Sequence, residues 1–187
     1  FSCTEKDEGY YLFLGQLVPY KKADLAVKAF NQNGKRLKII GVGNQLKYLE
    51  SIAKNNIEIL GSRPFEEIIK AYANCKAFIF PGEEDFGITP VEAQASGKPV
   101  IAFNKGGVLE TVKGIYFDSE DKNFDNKTGV FFRDQSENSL NRAIDFFEEN
   151  SKKFNPLFIR THSETFRKEN FIARFKDLIR KKTGLVV

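Results

Sequence analysis

The sequence predicts an α/β domain built on a doubly wound parallel sheet, and two observations carry that expectation. Short continuous apolar runs recur along the chain, each followed by a loop and then an amphipathic stretch of helical length. Runs without polar alternation suit strands covered on both faces. Strands alternating with helices of this length imply right-handed βαβ crossovers. A length of 187 residues matches about one domain, and 41% hydrophobic residues, with 19 Phe, are ample for a buried core.

The strands are expected at residues 11–15, 37–41, 57–60, 77–81, 100–103 and 129–132, where Val, Ile, Leu and Phe cluster. Between them, helices are expected near 23–31, 45–55, 65–74, 89–96 and 136–149, with two more near 156–168 and 170–182 closing the chain. The stretch 114–128 is polar and rich in Asp, Asn and Lys, and reads as a mobile surface loop. No internal repeat or linker divides the body.

Composition narrows the function classes. Six Pro and 14 Gly exclude collagen-like and low-complexity chains. The apolar runs fall far short of the ~18 residues of a membrane span. The net charge of +4 is uneven: from Ser151 onward ten Lys/Arg face three Asp/Glu, leaving the first 150 residues at −3. A neutral body with a basic tail is not a uniformly basic nucleic-acid binder. Cys3 and Cys75 lie in no C-x-x-C motif, so a reducing compartment is expected and a metal site is not. Asn126-Lys127-Thr128 matches a glycosylation triplet of a kind that arises by chance. With no Met and a start at Phe1, the chain reads as a fragment, the second half of something larger.

In open α/β sheets ligands bind beyond the carboxyl ends of the strands, and three loops there carry chemistry. After the first strand, Lys21 and Lys22 precede a helix and suit an anion, although two solvated surface lysines explain that segment alone. Gly41-Val42-Gly43 opens like a dinucleotide fingerprint, but Leu46 stands in place of the third Gly and no acid ends the next strand. A tight strand-to-helix turn is the better reading, and NAD binding is unsupported. The third loop runs Pro81-Gly82-Glu83-Glu84-Asp85-Phe86-Gly87-Ile88-Thr89-Pro90-Val91-Glu92. Thr89 to Glu92 reads as a capping box with Pro90 at the first helical position. The helix N-terminus is then an anion site that Gly87 lets a ligand approach. Three carboxylates beside it would repel bare phosphate, yet they suit a ligand with hydroxyls as well, such as a nucleotide sugar.

Glu84 and Glu92 stand seven residues apart, which resembles the Glu-x7-Glu motif of retaining glycosyltransferase family 4. Leu17-Val-Pro-Tyr-Lys-Lys-Ala-Asp, Ile40-Gly-Val-Gly, Ile57-Glu-Ile-Leu-Gly, the stretch from Glu84 through Ala102, Gly106-Gly107-Val-Leu-Glu110-Thr and Thr128-Gly129-Val-Phe-Phe follow that family in order. The resemblance implies a Rossmann-like domain, the C-terminal half of a two-domain GT-B enzyme. On that basis residues 1–187 form one nucleotide-sugar domain, with 1–9 a linker remnant, 156–183 the C-terminal helices, and an N-terminal acceptor domain outside the chain.

The resemblance also implies roles. Glu84 would contact the transferred sugar and Glu92 the ribose. The backbone of Phe86, Gly87, Ile88 and Thr89 would hold the diphosphate and part of the hexose. Lys21 would neutralise the departing diphosphate, and Ser62 and Arg63 would lie by the base. Where the family usually has Arg, this sequence has Gln16, with Lys22 as a possible compensating charge. The wording is most similar to bacterial mannosyltransferases of surface polysaccharide and O-antigen assembly, which points to GDP-mannose, no metal or other cofactor, a glycan or lipid-linked acceptor, and a cytoplasmic location. Alternatives are a different nucleotide-sugar donor, a phosphorylase or epimerase, or a non-catalytic nucleotide-sugar-binding domain. The tail's Phe158, Ile159, Phe166, Phe171, Phe175, Leu178 and Ile179 recur at helical spacing and are expected mostly to face a core, with contact to an anionic membrane as a second reading. His162 is expected on a surface or interdomain helix.

Overall fold

The computed structural model describes residues 7–120 and 122–183. Cys3 and most of the expected linker 1–9 lie outside them.

Seven parallel strands form one sheet: β1 (Tyr10–Leu14), β2 (Arg36–Ile40), β3 (Ile57–Ile59), β4 (Phe78–Phe80), β5 (Val100–Phe103), β6 (Gly114–Tyr116) and β7 (Gly129–Phe132), in the order β3-β2-β1-β4-β5-β7-β6. The chain starts at β1, winds outward to β3, then returns to place β4 beside β1, Leu12 opposite Phe78, and winds the other way. The helices are α1 (Ala23–Asn33), α2 (Leu46–Ile52), α3 (Phe65–Asn74), α4 (Ile88–Ala95), α5 (Val108–Thr111), α6 (Glu137–Asn150), α7 (Pro156–Ser163) and α8 (Lys168–Thr183).

The unbroken apolar runs have a direct cause in this arrangement. Side chains alternate across a strand, and here both faces are covered. Tyr11, Phe13, Leu37, Ile39, Ile79, Ile101, Val130 and Phe132 pack with Phe30 of α1 and Leu140, Ile144 and Phe147 of α6. Their neighbours Tyr10, Leu12, Ile40, Phe78, Phe80, Val100, Ala102 and Phe131 pack on the other face with Tyr72 of α3 and Ala93 of α4. Each large side chain so buried contributes about 1.5–3 kcal/mol. Local signals start α6 and α7 close to where the sequence places them, whereas α7 stops at Ser163, short of the expected 168. Ser136 accepts a hydrogen bond from the Ser139 amide at the start of α6, and Asn155 accepts from Leu157 and Phe158 at the start of α7, with Pro156 in its first turn.

Two expectations are corrected, and one short helix goes unforeseen. The stretch 114–128 is not all loop: Gly114–Tyr116 is β6, paired beyond β7, and the Phe117 and Phe124 rings pack against the core. A three-residue strand leaves no period for the sequence to reveal. The four-residue α5 escapes for the same reason. The tail does not bury its apolar stripe as expected. Ile159 is buried and Phe158 and Phe166 partly so, but no residue of α8 is buried, and Phe171, Phe175 and Leu178 are each at least half exposed. Helical spacing predicts the helix, not what covers it.

Cys75 is buried, and burial pushes its thiol up to about 12, so it is inert as a nucleophile at neutral pH. Among the described residues no helix is long and apolar enough to cross a membrane.

One polar lock joins the sheet to α6. The Tyr11 hydroxyl donates to Glu148 at 2.6 Å, and the Lys76 ammonium donates to the same carboxylate at 2.6 Å. Burial alone would raise the Glu148 pKa, but the bonds from Lys76 and Tyr11 outweigh it and hold the carboxyl below its usual range. The contribution to stability is therefore full above the unfolded carboxylate value and disappears as pH falls through the lower native one. Glu148→Gln is expected to lower the free energy of unfolding by about 1–2 kcal/mol at pH 7, with the difference vanishing in acid. Denaturant curves at pH 7 and pH 3 check this, and an equal loss at both pH values would refute it.

Candidate functional site

The winding reverses between β1 and β4, so the loops leaving their carboxyl ends face each other across a crevice. After β1 the chain passes through a 3-10 turn, Pro19–Lys21, and Lys22 then caps α1 with left-handed backbone angles of φ 58° and ψ 34°. For a non-glycine residue that conformation costs roughly 1–2 kcal/mol. After β4, Gly82 lies against the first loop. A Cβ there would sit 2.9 Å from the Tyr20 carbonyl oxygen and 3.0 Å from the Lys21 Cα. Such close approach lets the Lys21 ammonium form an ion pair with Glu84, the two side chains only 17% and 20% exposed. Solvent and salt screen so shielded a pair less than a fully exposed one.

The acidic loop is pinned from its far side. The Gly107 amide donates to the Glu84 carbonyl at 2.7 Å, and Glu84 bridges to Gly106. A Cβ on Gly107 would meet the Asp85 carbonyl oxygen at 2.1 Å. Of the neighbouring acids, Glu83 pairs with Lys105 at 3.1 Å, an exposed contact.

The start of α4 corrects the expected capping box. Gly87, at φ 79° and ψ 72°, is the N-cap, so Ile88, Thr89 and Pro90 are its first three residues and no side chain caps it. Glu92 cannot fold back as a box partner, because the Tyr72 hydroxyl donates to its carboxylate at 2.9 Å. The uncapped first-turn N–H groups lack intrahelical acceptors and carry the positive end of the helix dipole.

Tyr20, Lys21, Glu83, Glu84, Asp85, Phe86, Gly87, Ile88 and Thr89 line a cavity of about 600 Å³, within the range of small-molecule sites. An adjoining hollow of about 620 Å³ shares Tyr20 and the three acids and adds Lys22 and Gln135. Gln16 lines a smaller cavity of about 190 Å³ with Ser62, Arg63, Gly41 and Val42. Glu92 faces a groove between α4 and α7, beside Phe86, Ile88, Arg160 and Arg167. Lys21, Glu84 and residues 86–89 are thus brought together, Lys22 stands beside them, and Gln16, Ser62 and Arg63 form a separate group.

The Gly41–Gly43 turn is close-packed as expected, a Cβ on Gly43 falling 2.3 Å from the Leu17 carbonyl oxygen. His162 is not a plain surface residue. Its Nε2 lies 3.2 Å from the Thr111 carbonyl oxygen, and burial and Lys113 hold its pKa below the usual value, so the neutral ring donates.

Tyr72 and Gly107 are the site residues that reading the sequence missed. Adjacent glycines after β5 were the available signal for one; a lone Tyr in an amphipathic helix gives none for the other.

A family model described as glycosyl transferases group 1 matches residues 3–157. An uncharacterized glycosyltransferase of Methanocaldococcus jannaschii is 37% identical over 114 residues, 58% of this chain and 32% of that protein. A GDP-mannose-dependent alpha-mannosyltransferase of Corynebacterium glutamicum is 33% identical over 114 residues, 58% of this chain and 27% of its own length. The chain thus spans about a third of these curated relatives. Among solved structures, sucrose-phosphate synthase from Thermosynechococcus elongatus superposes with a TM-score of 0.76 at 23% identity, over 94% of this chain and 45% of that one, which shows a shared fold.

Gly107→Ala is expected to destabilise the protein by about 1–3 kcal/mol through the collision with Asp85, measured by denaturation; an unchanged midpoint would show that the loop yields freely. For Glu92, burial pushes the carboxyl up while the Tyr72 hydroxyl opposes the rise. Removing a hydrogen bond to the charged form raises the pKa further. Tyr72→Phe should therefore shift the Glu92 titration midpoint upward, read by carbon-detected NMR, and a fall or no change would contradict the assignment.

Proposed function

The chain belongs to the family of group 1 glycosyl transferases, and on that premise we propose that it binds the sugar donor of a retaining mannosyltransferase. The donor of this reading is GDP-mannose, and the acceptor is a growing, lipid-linked surface polysaccharide. What carries the reading is the meeting of Lys21 and Glu84 with the uncapped start of α4, in one cavity at the β1/β4 reversal.

In the reaction, the bond between the anomeric carbon and the diphosphate oxygen breaks. A new bond forms from that carbon to an acceptor hydroxyl, which gives up its proton, and the nucleoside diphosphate leaves with the electron pair. Charge develops on the diphosphate, so fixed positive groups there lower the barrier. The Lys21 ammonium supplies a full charge. The N–H groups of residues 86–89 supply oriented dipoles. Lys22 adds charge from the adjoining hollow, compensating for Gln16, which can only hydrogen-bond.

Carboxylates accept hydrogen bonds from diols, so Glu84 takes the hexose hydroxyls and Glu92 the ribose. Ser62 and Arg63, beside Gln16, take the base in the smaller cavity. The transfer uses no metal ion or other cofactor. The acceptor and a further catalytic group come from a partner domain, the protein working in the cytoplasm with peripheral membrane contact through its basic helices.

Calorimetric titration with GDP, UDP and ADP tests the reading. GDP is expected to bind with Kd of about 0.1–1 mM, and Lys21→Ala to weaken it at least about tenfold. Binding of none would overturn the sugar-donor reading, and preference for UDP or ADP would overturn the GDP-mannose one. The chain by itself is expected to transfer no mannose to a lipid-linked acceptor; turnover in a radiolabel assay would refute the need for a partner domain.

A further inference from the structure

We propose that Glu84 discriminates a nucleotide sugar from the bare nucleoside diphosphate by competing for Lys21, an inference that rests on the sugar-donor reading above. The crevice supplies its own anion for its lysine. Lys21 and Glu84 are paired, and both side chains are mostly shielded from water. The pairing is built into the backbone. Gly82 abuts Tyr20 and Lys21 on one side, and Gly107 holds the Glu84 carbonyl on the other. The carboxylate can swing, but its attachment point is fixed beside the ammonium.

A diphosphate entering the cavity must take Lys21 from Glu84. The displaced carboxylate then faces the incoming phosphates, with Glu83 and Asp85 in the same lining. Like charges at such range in a shielded site oppose binding. An attached hexose changes the balance, because its hydroxyls stand between the phosphates and Glu84 and donate to the freed carboxylate. Both partners of the broken pair are then satisfied. With the bare diphosphate only the lysine is. The same side chain that receives the sugar therefore works against retention of the product once the sugar has gone.

Glu84→Gln removes the competing charge and keeps the shape. The affinities of the chain and this variant for GDP and GDP-mannose, and for UDP and UDP-glucose, are measured by calorimetry, and the comparison is made on the pair that binds. The variant is expected to bind the bare diphosphate at least tenfold more tightly, and the ratio of diphosphate Kd to nucleotide-sugar Kd is expected to fall at least tenfold. A role for Glu84 in structure alone would leave that ratio unmoved. Unchanged diphosphate affinity, or equal tightening of both ligands, overturns the proposal. Should Glu84→Gln fail to fold, Glu84→Asp carries the test. It draws the carboxylate back from Lys21 and is expected to tighten the bare diphosphate several-fold, and no tightening overturns the proposal. If none of the four ligands binds the unaltered chain, the sugar-donor reading falls, and this inference with it.

Discussion

Everything that distinguishes this chain chemically depends on one topological constraint, the adjacency of β1 and β4. The crossovers carry the first half of the chain to one side of β1 and the second half to the other. At that reversal two strand-to-helix loops diverge and leave a crevice between them. Loops 61 and 62 residues apart in sequence are there pressed backbone to backbone, Gly82 against Lys21 and Tyr20. The Lys21–Glu84 pair follows from that contact. So does the cavity, whose walls are the same two loops and the start of α4.

Loops ordinarily tolerate displacement, and this one is held by a second contact made at the cost of a side chain. Gly106 and Gly107 bring a neighbouring backbone within hydrogen-bonding range of Glu84 and Asp85. The Tyr72 hydroxyl holds Glu92 from beneath, out of a fully buried position on α3. The acids of the site are thus fixed by groups outside the motif that contains them, and both supports come from the domain's own helices and loops.

Much of this was legible in the sequence, for physical reasons that also explain the gaps. The central strands announced themselves because burial on both faces demands unbroken apolar runs, as in Ala77-Phe-Ile-Phe, while β3, Ile-Glu-Ile at the sheet edge, showed only a broken one. The Gly-Ile-Tyr of β6 is too short to show any pattern and lies at the edge, where burial demands less. Thr89-x-x-Glu92 matched a capping box because that pattern is local, whereas the true start of α4 depends on Gly87 adopting a left-handed backbone and on Tyr72 claiming the glutamate, a contact 20 residues distant. Lys21 and Glu84 were legible as residue types suited to an anion and a diol; that they pair with each other was not, since pairing is a property of the fold. The stripe on α8 shows the converse limit: periodicity names a face, and only the surroundings say whether it is covered.

The two outer strands have a consequence for how the molecule behaves in company. β3 and β6 terminate the sheet, and each is three residues long. A sheet edge is a row of unsatisfied donors and acceptors able to recruit a strand from another chain. Three residues give such recruitment little to hold, and β3 places Glu58 in the middle of its row. A wide parallel sheet rich in Phe and Ile is the kind of core that would aggregate if its rims were long. Here the rims are clipped short, and the exposed glutamate at one of them acts as a gatekeeper against fibril-like stacking.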